Sequence, residues 1–199
     1  MIPILILAAG SSSRMQGRDK LLETIDRVPL LRRTVNSALG TDHPVYVTLP
    51  QQPHPRYAVL EGLDFTTIPV RDAALGMSES LKRGIERLPK TETKAVLIVL
   101  ADLPDLKSFH MLQVIKARQT QPDALVWRGA NQAGQPGHPV LLDASLFREI
   151  SKLKGDNGAQ DIVRQVKDQV HLVDTVGEAA LTDLDTPMAW DAWRRKRDR

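Results

Sequence analysis

At 199 residues and 42% hydrophobic content the chain is long enough to bury one sizeable core and short for two, so a single domain spanning 1–199 is expected. With no cysteine it has no disulfide framework, no thiolate zinc site and no cysteine nucleophile, and a cytoplasmic setting fits best. The net charge of +3 is a property of residues 194–199, which hold five cationic side chains and one acidic one; with aromatics at only 4% and no other basic face, nucleic acid is not an expected partner.

The first element is the run Ile2 to Leu7, apolar on both faces, as a strand buried in a parallel sheet must be. It is too short to span a bilayer and lacks the charged leader of a secretory signal, so no membrane contact is expected. The chemistry then changes abruptly. Ala8, Ala9, Gly10, Ser11, Ser12 and Ser13 are small enough for backbone N–H groups to approach a ligand, the arrangement that cradles phosphate oxygens, and Arg14 and Lys20 add two cations. The glycines do not fit the dinucleotide fingerprint, because only Gly10 and Gly17 are present. They do not fit the P-loop either, because Arg18 follows Gly17 and Leu21 follows Lys20. On residue types alone the segment reads equally as a small-residue turn with both cations in water.

Pro29 to Leu39 reads as a helix, Val45 to Leu49 as a strand before the proline-rich Pro50 to Pro55, and Phe65 to Val70 as a further extended piece. A helix follows the Gly76-Met77 turn. Met77, Leu81, Ile85 and Leu88 fall on one of its faces, and Ser78 is placed to cap it. Ala95 to Leu100 is a second wholly apolar run, a central strand with Asp102 just beyond its carboxyl end. Ser108 to Arg118 reads as a helix, Ala124 to Trp127 and Val140 to Leu142 as strands, and Arg128 to Gly137 as a flap or plain surface connection. A helix over Asn157 to Val166, a strand over Val170 to Val173 and a closing helix over Pro187 to Arg197 complete the chain. The basic end of that last helix reads as solvated, its cations suiting the helix C-terminus. Strands alternating with helices predict an α/β fold, a Rossmann-like doubly wound, mostly parallel sheet, in which ligands bind outside the carboxyl ends of the strands.

Leu7-Ala8-Ala9-Gly10-Ser11-Ser12-Ser13-Arg14-Met15 with Lys20-Leu21-Leu22 resembles the signature of the MobA-like nucleotidyltransferases, the family of molybdenum cofactor cytidylyltransferase and guanylyltransferase. Gly76-Met77-Ser78-Glu79-Ser80-Leu81, Leu100-Ala101-Asp102-Leu103-Pro104, Gly137-His138-Pro139-Val140-Leu141, Gly155-Asp156-Asn157-Gly158-Ala159 and Asp183-Leu184-Asp185-Thr186-Pro187 resemble its later motifs, in the same order. One departure stands out. The family places the lysine five residues after the arginine, whereas Arg14 and Lys20 are six apart, as if Gln16 were inserted.

The resemblance implies a sheet of the nucleotide-diphospho-sugar transferase type. The reaction it implies is attack by an acceptor phosphate on the α-phosphorus of a nucleoside triphosphate, with release of pyrophosphate. Leu7 to Ser13, Arg14, Lys20, Gly76, Ser78 and Ser80 become nucleotide contacts, with Arg14, Lys20 and Asp102 in the catalytic role. Asp102 and Asp185 become ligands of Mg2+, which Mn2+ can replace, since magnesium favours a few carboxylates plus phosphate oxygens. His138 and Asp156 fall on the acceptor side.

Each residue also has a plainer reading. Asp102 can cap the Leu103-Pro104 turn, Asp185 the helix that begins near Pro187, and His138 can be an ordinary turn histidine. Asp102-Leu103-Pro104 matches neither the Asp-Gln-Pro frequent in cytidylyltransferases nor the Asp-Met-Pro of guanylyltransferases. The motifs around His138 and Asp156 look more like the cytidylyl branch, which implies CTP as donor, molybdopterin cofactor as the phosphorylated acceptor and a molybdoenzyme as recipient. Guanylyl or sugar-phosphate nucleotidyl transfer is the alternative within the class, and a non-catalytic cofactor chaperone or nucleotide-sensing module the alternative outside it.

Overall fold

The structure, a computed structural model, describes residues 1–153, 155 and 159–198. Its strands are β1 (Ile4–Leu7), β2 (Thr24–Ile25), β3 (Val28–Pro29), β4 (Val45–Pro50), β5 (Thr66–Val70), β6 (Ala95–Leu100), β7 (Val126–Ala130), β8 (Pro136–Asp143) and β9 (Val170–Asp174). Its helices are α1 (Leu30–Leu39), α2 (Met77–Arg87), α3 (Ser108–Thr120), α4 (Phe147–Ile150), α5 (Gln160–Gln165) and α6 (Pro187–Arg197). Seven strands form one sheet in the order β5-β4-β1-β6-β8-β7-β9, and β2 and β3 form a separate small hairpin.

β1 lies between β4 and β6 and runs parallel to both, so its side chains are covered on two faces. Ile4 and Ile6 join Leu97 and Val99 in a core layer shared with α1, α3 and α6. Leu5 points the other way, to Leu81, Ile98 and Val140 in the layer beneath α2, α4 and α5. From β1 the chain moves outward to β4 and β5, then returns to the opposite flank of β1 as β6. The order therefore reverses between β1 and β6. At such a point the loops leaving two neighbouring strands diverge and open a crevice at the carboxyl rim.

The expected order of elements holds, with two differences. Asp26 and Arg27, both at positive φ, close the β2–β3 hairpin, which the sequence reading lacked because each strand is only two residues long. The segment 128–137 is no flap. β7 extends through Ala130 and β8 starts at Pro136, and Asn131 locks the turn between them by accepting from the Ala133 and Gln135 N–H groups and donating to the Gln135 side chain. β8 runs antiparallel to β6 and β7, so the sheet is mostly parallel, as expected. Residues 157 and 158 of the helix expected over Asn157 to Val166 lie outside the described residues, and α5 covers Gln160–Gln165.

The basic C-terminus is also not simply solvated. Arg197 holds both Asp26 carboxylate oxygens at 2.6 Å and lies over the Trp193 ring, while Arg194 reaches Glu23 and lies over Trp190. Trp190 is buried, and Trp193 donates its indole N–H to Asp105. These contacts strap α6 across the hairpin. No helix among the described residues is long and apolar enough to cross a membrane.

Candidate functional site

The crevice between β1 and β6 is a cleft of about 500 Å³, within the range of pockets that take small ligands. Leu7, Ala8, Ala9, Gly10, Ser11, Ser12, Ser13 and Arg14 line one side. Lys20, Asp102 and Asp185 line the floor, and Ala73, Gly76, Met77 and Ser80 the side toward α2. Nine of those residues come from one stretch of chain, 7–20, and the others from three more, brought together by the strand order.

The loop after β1 is shaped for an anion. Ala8 is still tied to β4 through its N–H on the Thr48 carbonyl at 3.1 Å, but the N–H groups of Ala9, Gly10, Ser11 and Ser12 donate to no other described residue. Backbone donors left unpaired beside a cleft are the raw material of an anion site. A side chain built on Gly10 would meet no protein atom within 4 Å, so glycine here leaves open space on the cleft side rather than relieving a clash.

The loop keeps this form because of a residue absent from the sequence-based candidates. Arg56, in the segment after β4, is 1% exposed. Its Nε and Nη2 hold the Asp19 carboxylate at 2.7 and 2.8 Å, its Nη1 donates to the Ala8 carbonyl at 2.7 Å, and its Nη2 reaches Ser12 Oγ at 3.2 Å. Ser12 Oγ donates in turn to Asp19 and accepts from the Lys20 N–H. The network joins both ends of the loop and fixes the backbone at Lys20, while Gln16 and Gly17 take up positive φ at the position of the extra residue. The Ser12 hydroxyl is thus turned into the fold, leaving its amide for the cleft. Burial works against the Asp19 carboxylate, yet the Arg56 fork holds its pKa below the ordinary value. A lone arginine in a proline- and histidine-rich stretch carries no sequence signal for this role; only the fold places it there.

Lys20 projects to the floor, where its ammonium donates to Asp102 Oδ2 at 2.5 Å and also to Asp185 Oδ1. Arg14, largely exposed, pairs with the second Asp185 oxygen. The two carboxylates meet because Leu184, buried, donates its N–H to the Asp102 carbonyl at 3.1 Å. Burial opposes the Lys20 charge, but Asp102 and Asp185 outweigh it and raise its pKa. Burial would likewise raise the Asp185 pKa, but Lys20 and Arg14 hold it down. Asp183 is pushed up by burial and by its two acidic neighbours. Asp102 does not cap its turn, since Oδ1 is buried with no partner. Asp185 does not cap α6, because Thr186 Oγ1 accepts the Ala189 N–H instead.

Two expected site residues, Ser78 and His138, fall outside the cleft lining. Ser78 neither caps α2 nor lines the cleft: Gly76, with φ 108°, holds the cap position, and the buried Ser78 Oγ has no partner. Met77, on the same helix face as Leu81 and Ile85, is exposed at the cleft. His138 lies on β8 outside the cleft lining; burial and Arg128 push its pKa down to about 4, leaving a neutral ring whose Nδ1 has no partner. Asp156 lies outside the described residues. No group of three or more His, Asp or Glu side chains among the described residues is arranged to hold a metal ion. Any ion at this floor would rest on Asp102 and Asp185 with oxygens from its ligand, and the orphaned Asp102 Oδ1 fits that use.

A doubly wound sheet with a cleft of free amides at its switch point, faced by two cations and two carboxylates, is the frame of a nucleotide-handling α/β enzyme. Residues 4–170 match the MobA-like NTP transferase domain, and the chain belongs to that family of nucleotidyltransferases. It is 26% identical over 203 residues to the purine catabolism protein PucB of Bacillus subtilis, covering 95% of this chain and 94% of that protein. A probable molybdenum cofactor guanylyltransferase of Nostoc is 32% identical over 52% of this chain and 46% of its own length. The chain spans only about a third (35%) of the bifunctional protein GlmU of Kineococcus radiotolerans, with 26% identity. Among solved structures, a nucleotidyl transferase from Methanothermobacter superposes with a TM-score of 0.80 at 21% identity, over 100% of this chain and 99% of that one. Rv0371c of Mycobacterium tuberculosis, solved in complex with manganese, gives 0.77 at 23% identity, over 98% and 96%.

Proposed function

We propose that this chain, working as one domain, transfers the nucleoside monophosphate of a triphosphate, CTP in the first instance, to the phosphate of a molybdopterin-type acceptor in a cytoplasmic setting. The observation that carries this reading is the set of unpaired amides from Ala9 to Ser12 facing Lys20, Asp102 and Asp185 across one cleft. In the reaction an acceptor phosphate oxygen forms a bond to the α-phosphorus as the bond to the pyrophosphate oxygen breaks, and pyrophosphate leaves with the bonding electrons. The attacking phosphate is already an anion, so no nucleophilic side chain or general base is needed. In-line positioning and charge stabilisation carry the rate.

The amides of the first loop hold the triphosphate, and Arg14 and Lys20 supply positive charge as the leaving group gains negative charge. Gly76, Met77 and Ser80 face the base and ribose. Asp102 and Asp185 would hold a divalent ion, Mg2+ or Mn2+, whose contribution is charge neutralisation on the phosphate oxygens. His138, neutral and outside the cleft lining, acts on the acceptor side only indirectly, through the shape of the β8 edge.

CTP is supported by the motif around His138, which resembles the cytidylyl branch. GTP is the second reading, favoured by the relative named as a guanylyltransferase. The test is the thermal midpoint with each of ATP, CTP, GTP and UTP, with and without Mg2+ or Mn2+. A ligand at 100 times its Kd adds about 2.7 kcal/mol, which for a chain of this size raises the midpoint by roughly 5–10 °C. A metal-dependent rise confined to CTP supports the first reading, a rise confined to GTP replaces it with the second, and no rise with any triphosphate rejects both.

A further inference from the structure

We infer that in the nucleotide-free enzyme Lys20 occupies the place of the divalent ion, so that metal and triphosphate enter together and the lysine changes partners as they do. The inference rests on the metal reading given above. Of the four carboxylate oxygens on the floor, Lys20 engages one on Asp102 and one on Asp185, and Arg14 engages a third; only Asp102 Oδ1 has no partner among the described residues. Two cations face these two carboxylates and balance their charge. A divalent ion arriving alone must therefore displace a partly buried ammonium from oxygens that already match it. The displaced charge then finds no further carboxylate among the residues that line the cleft, and stranding a partly buried cation is strongly unfavourable.

A triphosphate removes that obstacle. Its oxygens accept the Lys20 and Arg14 donors, which frees the carboxylates, and it adds ligand oxygens of its own. The exchange needs only the ends of the Lys20 and Arg14 side chains to move. The backbone is held, since the Lys20 N–H donates to Ser12 Oγ at 3.3 Å, Asp19 is gripped by Arg56, and Leu21 is buried. Binding of metal and binding of triphosphate are thereby coupled, and the coupling is reciprocal.

Such a role predicts a sign opposite to that of a lysine serving only phosphate. Replacing Lys20 with an uncharged side chain of similar length leaves the two carboxylates without their resident cation. Lys20→Met should therefore bind Mn2+ in the absence of nucleotide about tenfold more tightly than the native chain, while its affinity for CTP or GTP falls by a comparable factor. The measurement is Mn2+ titration of the full chain followed by electron paramagnetic resonance, with the thermal midpoint as a check on folding and Lys20→Gln as a second variant. Adding Asp102→Asn to Lys20→Met should remove the gain.

Unchanged or weaker Mn2+ binding by a folded lysine variant overturns the exchange. If the native chain still shows a metal-dependent shift with CTP or GTP, the enzyme reading survives that failure. If neither Mn2+ nor any triphosphate binds the native chain or the variants, both fall together.

Discussion

Two regions gather arginines around carboxylates, and they do so to different effect. At the first loop, Arg56 is almost fully buried and spreads its guanidinium over Asp19, the Ala8 carbonyl and Ser12. At the C-terminus, Arg194 and Arg197 lie on Trp rings and reach Glu23 and Asp26 with their heads in water. The contacts look alike on paper. Burial separates them, because a buried cation deprived of its partner cannot turn to solvent, whereas an exposed one can. The loop network sets geometry at the cleft, and the helix strap adds only modest stability.

Substitutions at four positions sharpen this contrast. Asp102→Asn removes a charge from the cleft floor and no core volume, so turnover should fall by roughly 10²–10³-fold, with a drop in midpoint smaller than that of Arg56→Met because Lys20 keeps Asp185 as its partner. Turnover at the native rate would take Asp102 out of the site. Arg56→Met should have the largest effect on folding, about 3–5 kcal/mol, because Asp19 is left without its partner. In a chain of this length that lowers the midpoint by roughly 6–20 °C, and Arg56→Lys should recover only part of it, since a point charge cannot replace the fork. A drop no larger than that of a surface arginine would equate the two regions.

His138 offers an intermediate case, a half-buried ring with no counter-charge. Its pKa is pushed down to about 4, first by burial and then by Arg128, whereas the unfolded chain takes up that proton near pH 6.5. The unfolded state therefore binds more protons between these values. The native contribution is complete above about pH 6.5 and is lost as pH falls toward 4, by roughly 2–3 kcal/mol. His138→Asn should flatten the midpoint against pH over that window, and an unaltered slope would place the ring in solvent. The smallest effect belongs to Arg197→Ala, expected to lose about 0.2–1 kcal/mol in urea unfolding and to leave the nucleotide-induced midpoint shift intact.

Much of this was legible in the chain. The apolar runs at Ile2–Leu7 and Ala95–Leu100, too uniform for strands with a wet face, marked the centre of a parallel sheet, and the small residues after the first and Asp102 after the second marked its rim. Local turns were harder. The β2–β3 hairpin is too short for periodicity to register, and the segment 128–137 carries turn residues that suit a loop and a hairpin alike.

What the sequence determined by itself is what depends on residue type and short spacing: buried strands, an amide-rich loop, two cations and two acids near strand ends. What only the tertiary structure decided is which of these meet. Lys20 reaches Asp102 and Asp185 because β1 and β6 are neighbours and Leu184 ties the late segment to the end of β6. Arg56 governs the first loop because the chain after β4 folds back over it. Ser78 and His138 carry suggestive chemistry, yet burial turns them away from the cleft. Strand order and burial act over dozens of residues of separation, a range that no local pattern encodes.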